Sequence, residues 1–157
     1  MATAKCEEDG KPSKSLYDYY DEKSRGGYIS LIIVEHSYIS QQGKARDRQL
    51  SVADDSLIDS LKELADIIHK NGTKTVMQIN HSGSAAKKEV TGMDAVAPSA
   101  VSNPRHNGPL PKELTHKEIK AIIEEVGFEI VDILKRQPYE TEHQTERAYI
   151  WTRKNIH

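Results

Sequence analysis

The chain has 157 residues, with 22 Lys and Arg against 24 Asp and Glu and a formal net charge of −2; that length suits one domain rather than two, and charge spread without a like-sign block argues against a nucleic-acid partner. Hydrophobic residues make up 36%, so the core is expected to be thin, and the single cysteine, Cys6, excludes an internal disulfide and an iron–sulfur or other Cys-rich metal site. With neither a signal-like start nor a run of about 18 apolar residues, no membrane partner and a cytoplasmic location are expected.

Residues 1–12 carry the turn signals Asp9-Gly10 and Pro12 and read as a loop. From Ser13, an N-cap candidate, Leu16, Tyr19, Tyr20 and Lys23 share one helical face, and Gly26-Gly27 ends the helix. The segment 28-YISLIIVEH-36 is β-branched and apolar through its middle, as expected of a strand covered on both faces in a parallel sheet. After a polar loop over 37–53, Leu57, Leu61, Leu64 and Ile68 recur at helical spacing, with Asp54 or Asp55 as cap and Gly72 at C′. A second strand follows over 73–80.

Residues 81–114 form a long polar connection in which 93-MDAVAPSAV-101 is apolar enough to lie on the protein body. Thr115 to Glu118 spell a capping box before a helix to about Val126, and 128-FEIVDIL-134 alternates as a strand. The remainder, 135–157, lacks periodicity and reads as a tail. Helix, strand, helix, strand in succession argues for βαβ units and a parallel sheet, open or closed.

In parallel α/β architectures ligands bind at the carboxyl ends of strands. His36 and the group Gln78, Asn80, His81 lie there. A glutamine amide offers a donor and an acceptor, which suits a heterocycle with C=O and N–H edges; the same residues can equally satisfy strand-end backbone groups. No H-x-x-H or H-x₃-H spacing supports a metal, no phosphate-loop glycine pattern occurs, and Ser82 and Ser84 lack a hydrolase nucleophile elbow.

The order of short motifs resembles one family. Met1-Ala2-Thr3, E-D-G at 8–10, YY at 19–20, R-G-G at 25–27, LIIVE at 31–35, IHKNG at 68–72, QINHSG at 78–83, VAPSAV at 96–101 and P-x-E-L-T at 111–115 follow one another as in the old yellow enzyme family of NADH:flavin oxidoreductases, especially its 2,4-dienoyl-CoA reductase and enoate reductase branch. The resemblance implies an α/β fold, the N-terminal part of an incomplete TIM (β/α)8 barrel, over residues 1–134. It implies FMN as cofactor, NAD(P)H as reductant, and an enone, enoate or enoyl thioester as small-molecule substrate.

Carried over by position, Met1 and Ala2 match the loop whose backbone lies along the flavin, His36 stands where the family has a small residue beside the flavin, and Gln78 matches the glutamine on the pyrimidine edge. His81 and Gly83 match H-x-G-R, with Ser84 in place of the arginine. Where the family places a substrate-binding histidine pair after its fourth strand, this sequence has Leu134-Lys135-Arg136-Gln137, so no catalytic residue is assigned. The family's first strand and phosphate-binding loops are not encoded here, nor are iron–sulfur cysteines. The expectation is a truncated ene-reductase-type enzyme inactive alone; the alternative is a non-catalytic half-barrel that self-associates or has no independent function.

Overall fold

In the computed structural model, described for residues 2–103, 109–136 and 147–154, the first helix, α1 (Lys14–Ser24), begins where the sequence expects it. The Ser13 hydroxyl accepts from the Leu16 N–H and donates to the Lys5 carbonyl, which satisfies an otherwise orphaned helix donor and ties the preceding loop to the helix. One face of α1 buries Leu16 and Tyr20. The loop before it turns at Gly10, with φ +90° and so little room that a Cβ would lie 2.7 Å from Ser51 Cβ and 2.8 Å from the Tyr38 hydroxyl. Only glycine fits both the conformation and the space.

Strand β1 (Leu31–Tyr38) pairs in parallel with β2 (Lys74–Asn80), and α2 (Ile58–His69) lies between them in the chain. A 3-10 turn at Asp55–Leu57 leads into α2, with Asp54 accepting from the Ser56 N–H at 2.8 Å. The helix stops at His69 with Lys70 as C-cap, so Gly72, expected at C′, lies one residue further on, where its φ of +80° completes the turn. Cys6, Leu16, Tyr20, Val34, Leu50, Leu64 and Ile68 form one buried cluster, with Ile32 and Met77 packed against it from the sheet.

Two expectations need correction here. The first strand runs over 31–38 rather than 28–36, because Tyr28, Ile29 and Ser30 lie exposed ahead of the pairing and the ladder continues beyond Glu35-His36. The strand is also not covered on both faces: Leu31 is 48% exposed, Ile33 64% and its register partner Val76 53%. Alternate residues of a strand face opposite sides, so the core takes Ile32 and Val34 and leaves the other face open.

Beyond β2 come a 3-10 turn at Gly83–Ala85, a short helix α3 (Lys88–Thr91), and a two-residue parallel pair, β3 (Val96–Ala97) with β4 (Lys112–Glu113). Val96 and Ala97 are buried, as expected of the apolar stretch within that connection. The chain forms two compact units, 1–113 and 114–157. In the second, α4 (His116–Glu125) starts at the expected capping box: Thr115 Oγ1 accepts from the Glu118 N–H at 3.2 Å while Glu118 Oε2 accepts from the Thr115 N–H at 2.7 Å.

Strand β5 (Phe128–Arg136) then pairs antiparallel with β6 (Arg147–Lys154), reinforced by the Arg153–Glu129 ion pair at 2.9 Å. The segment read as an aperiodic tail therefore contains a strand. Its 148-AYIWTR-153 is rich in β-formers, and pairing with β5 satisfies backbone groups of both segments. Among the described residues no helix is long and apolar enough to cross a membrane.

Candidate functional site

The carboxyl ends of β1 and β2 meet at a β-bulge. Val34 pairs with Met77 and Ser37 with Ile79, so β1 spends one more residue than β2 over this stretch. A bulge re-aims side chains, and here it buries Glu35 next to Val34, breaking the alternation. Glu35 is 3% exposed. Its N–H donates to the Tyr20 hydroxyl at 2.9 Å and its Oε2 accepts from the Thr3 N–H at 2.9 Å. The loop holding Ala2 is thus fastened to the strand end by a buried carboxylate.

His36, half-buried, lies within the bulge beside Glu35. Its Nδ1 lies 3.3 Å from Asn80 Oδ1 and 3.0 Å from Nε2 of Gln49, a buried residue of the loop after β1. Gln49 also contacts Asn80 Oδ1 at 3.1 Å. His36 and Asn80, both singled out by position, are therefore brought together through a residue that the sequence reading missed. Gln49 sits in the polar stretch 37–53 with no motif around it, and only the loop's path reveals its burial.

His81 is held differently. Its Nδ1 accepts from the Gly83 N–H at 3.0 Å, which accounts locally for the H-x-G pattern, and its ring packs on the backbone of Gly43. Burial lowers its pKa below the ordinary 6.5, and Nε2 is buried without a partner. Ser82 donates its N–H to the Gly43 carbonyl at 3.0 Å, stitching the loops after β1 and β2 together.

Gln78 lies on the open face, two residues after Val76, with its side chain exposed and making no hydrogen bond to a described residue. It is not brought into the His36 cluster. Ala2 is half-buried next to the Thr3 anchor; Met1 lies outside the described residues. Cys6 is fully buried, and desolvation, with the charge of Glu35 adding to it, pushes its thiol up to about 12. Such a thiol is a packing residue rather than a nucleophile. Among the described residues no three His, Cys, Asp or Glu side chains gather as a metal site.

A family model described as NADH:flavin oxidoreductase / NADH oxidase matches residues 1–128. The chain belongs to that family. An NADH oxidase of Thermoanaerobacter brockii is 41% identical over 126 residues, covering 79% of this chain and 19% of that protein. An NADPH dehydrogenase of Geobacillus sp. (strain WCH70) is 33% identical over 144 residues, covering 85% of this chain and 41% of its own length. Among solved structures, the old yellow enzyme homologue from Zymomonas mobilis aligns with a TM-score of 0.68 at 23% identity, over 80% of this chain and 37% of that one.

The chain thus spans well under half of each of these relatives, and its fold is part of an old yellow enzyme TIM barrel. In NADH:flavin oxidoreductases the cofactors are a flavin and a nicotinamide coenzyme. The open face of β1 and β2 is the side that further strands of such a barrel would close over.

Proposed function

We propose that this chain supplies part of the floor of an FMN site in an NAD(P)H-dependent oxidoreductase of the ene-reductase type. The observation that carries the reading is Gln78: at the position of the family's flavin-contacting glutamine, it stands exposed on a face made apolar by Ile33 and Val76. A flat ring seated at the carboxyl end of β2, above Ile33 and Val76, would meet an amide able both to donate to a ring carbonyl and to accept from a ring N–H. Ala2 adds a backbone contact from a loop that Glu35 holds in place, Met1 belongs to the same loop by resemblance, and His36 borders the ring. FMN, when bound, supplies the hydride chemistry between the nicotinamide coenzyme and an activated C=C of an enone, enoate or enoyl thioester.

No residue of this chain takes a catalytic role. By resemblance, Leu134-Lys135-Arg136-Gln137 stand in the place of the family's substrate-binding histidine pair. The chain alone is expected to bind FMN weakly or not at all, to hold no iron–sulfur cluster and to show no turnover, in a cytoplasmic setting. Fluorescence titration of FMN and an NADPH–enone assay on the purified chain test this. A sample that stays yellow through gel filtration and oxidises NADPH with an enone overturns it.

The open apolar face favours a second reading, a half-barrel that self-associates. Sedimentation decides: a stable monomer argues against it.

A further inference from the structure

Gln49 is completely buried, and backbone groups of opposite kind fix the orientation of its amide. Oε1 accepts from the Ala45 N–H at 2.7 Å, while Nε2 donates to the His36 carbonyl at 3.1 Å. Flipping the amide would set donor against donor at one end and acceptor against acceptor at the other. The same Nε2 lies 3.0 Å from His36 Nδ1 and 3.1 Å from Asn80 Oδ1, which itself lies 3.3 Å from Nδ1. Nδ1 is therefore committed inside the protein, whichever ring nitrogen carries the proton. The other ring nitrogen, His36 Nε2, has no hydrogen bond to a described residue and is not one of the buried orphaned atoms, so it keeps access to the outside.

We propose that Gln49 is a positioning residue: it clamps the His36 imidazole through Nδ1 and so makes Nε2 the one ring nitrogen offered to a ligand at the carboxyl ends of β1 and β2. A half-exposed imidazole otherwise turns about χ2 and presents either nitrogen. Holding it beforehand reduces the ordering cost of binding. The ligand class is a flat heterocycle whose edge carries N–H and C=O groups, able to meet a single imidazole nitrogen. That class rests on the flavin reading; the clamp does not.

The test uses the full-length ¹⁵N-labelled chain and two-bond ring correlations in NMR. In the wild type, His36 Nδ1 is expected to be displaced from its counterpart in the exposed His116, and Gln49→Met, which keeps bulk without an amide, is expected to reduce the displacement to what the Asn80 contact at 3.3 Å sustains. His36→Ala provides an independent arm, because it removes a half-buried side chain and leaves Gln49 intact. There Gln49 Nε2 keeps the residue-36 carbonyl and Asn80 Oδ1 but loses the ring nitrogen, so the chemical shifts of its amide protons are expected to move. Unmoved Gln49 amide protons in His36→Ala, or an unmoved Nδ1 in folded Gln49→Met, overturn the proposal.

FMN fluorescence quenching on the same samples separates the two readings. A clamped ring supports the Gln49 assignment with or without an FMN response, whereas FMN retained through gel filtration with NADPH–enone turnover overturns only the reading of an inactive part-site. FMN binding with an unclamped ring overturns the assignment of Gln49 alone.

Discussion

Gly43→Ala isolates the packing of His81 at the site. Gly43 does not have a left-handed φ, so alanine meets no backbone objection there. A Cβ would lie 2.6 Å from His81 Cδ2, 2.8 Å from Cγ and 3.1 Å from Cα. The last distance matters most, because rotating the ring cannot move Cα. The ring must leave and the backbone must shift, which breaks the Gly83 N–H to Nδ1 bond of 3.0 Å. Overpacking of this kind costs about 1–3 kcal/mol. The stiffer unfolded chain of alanine returns about 0.4–1 kcal/mol, so a net loss centred on about 1.3 kcal/mol is expected. With a urea slope of about 2 kcal/mol/M, the midpoint falls by about 0.6 M, read by far-UV circular dichroism.

The same variant tests the sign of a pH effect. Burial holds the wild-type His81 pKa below 6.5, so the unfolded ring takes up a proton at a pH where the folded ring still refuses it. The stability from the neutral ring is full above 6.5 and is lost as pH falls through the lower folded value. The wild-type urea midpoint should therefore drop between about pH 7.5 and 5.5, and Gly43→Ala, with its ring expelled, should drop less. A variant as stable as wild type with an equal pH slope would refute the packing argument.

Alkaline titration should destabilise the fold. Cys6 and Tyr20 are raised to about 12 from 9.0 and 10.0, chiefly by desolvation, so their contribution is present below those unfolded values and is lost as pH rises toward 12; urea melts at about pH 8 and 10.5 measure the decline. Ile68→Ala empties a fully buried position in the main cluster and should cost about 2–5 kcal/mol, visible as loss of helical signal. Ile33→Lys places a charge on the open face at a residue 64% exposed; far-UV circular dichroism should stay unchanged while sedimentation shows less association, and undiminished association would mean the face is not the contact. Ala4→Gly relieves a left-handed backbone at φ +54°, and a gain of about 0.5–1 kcal/mol in a urea melt is expected.

The helices were legible because their signals are local. Ser13, Asp54 and the Thr115–Glu118 box each act within three residues of their own position, and apolar spacing fixes which face is buried. Strand limits were less legible: pairing between β1 and β2 sets where β1 begins, and nothing around Tyr28 declares that the ladder starts at Leu31. The last strand, β6, escaped for a related reason, since 148–153 is short and flanked by charge, and its strand character follows from a partner in β5.

The site divides along the same line. Residues that could meet a ligand were visible, because polar side chains at the ends of apolar strands stand out against their neighbours. Those that hold them were not. Burial of Glu35 depends on a bulge, and a bulge is a difference in length between two strands that no stretch of either reveals. Burial of Gln49 depends on where its loop returns, and its amide reaches partners 13 and 31 residues away. Substitution at His36 or Gln78 therefore tests recognition, whereas substitution at Glu35 or Gln49 tests geometry, and an FMN response to the second pair with the first intact would locate binding strength in the support.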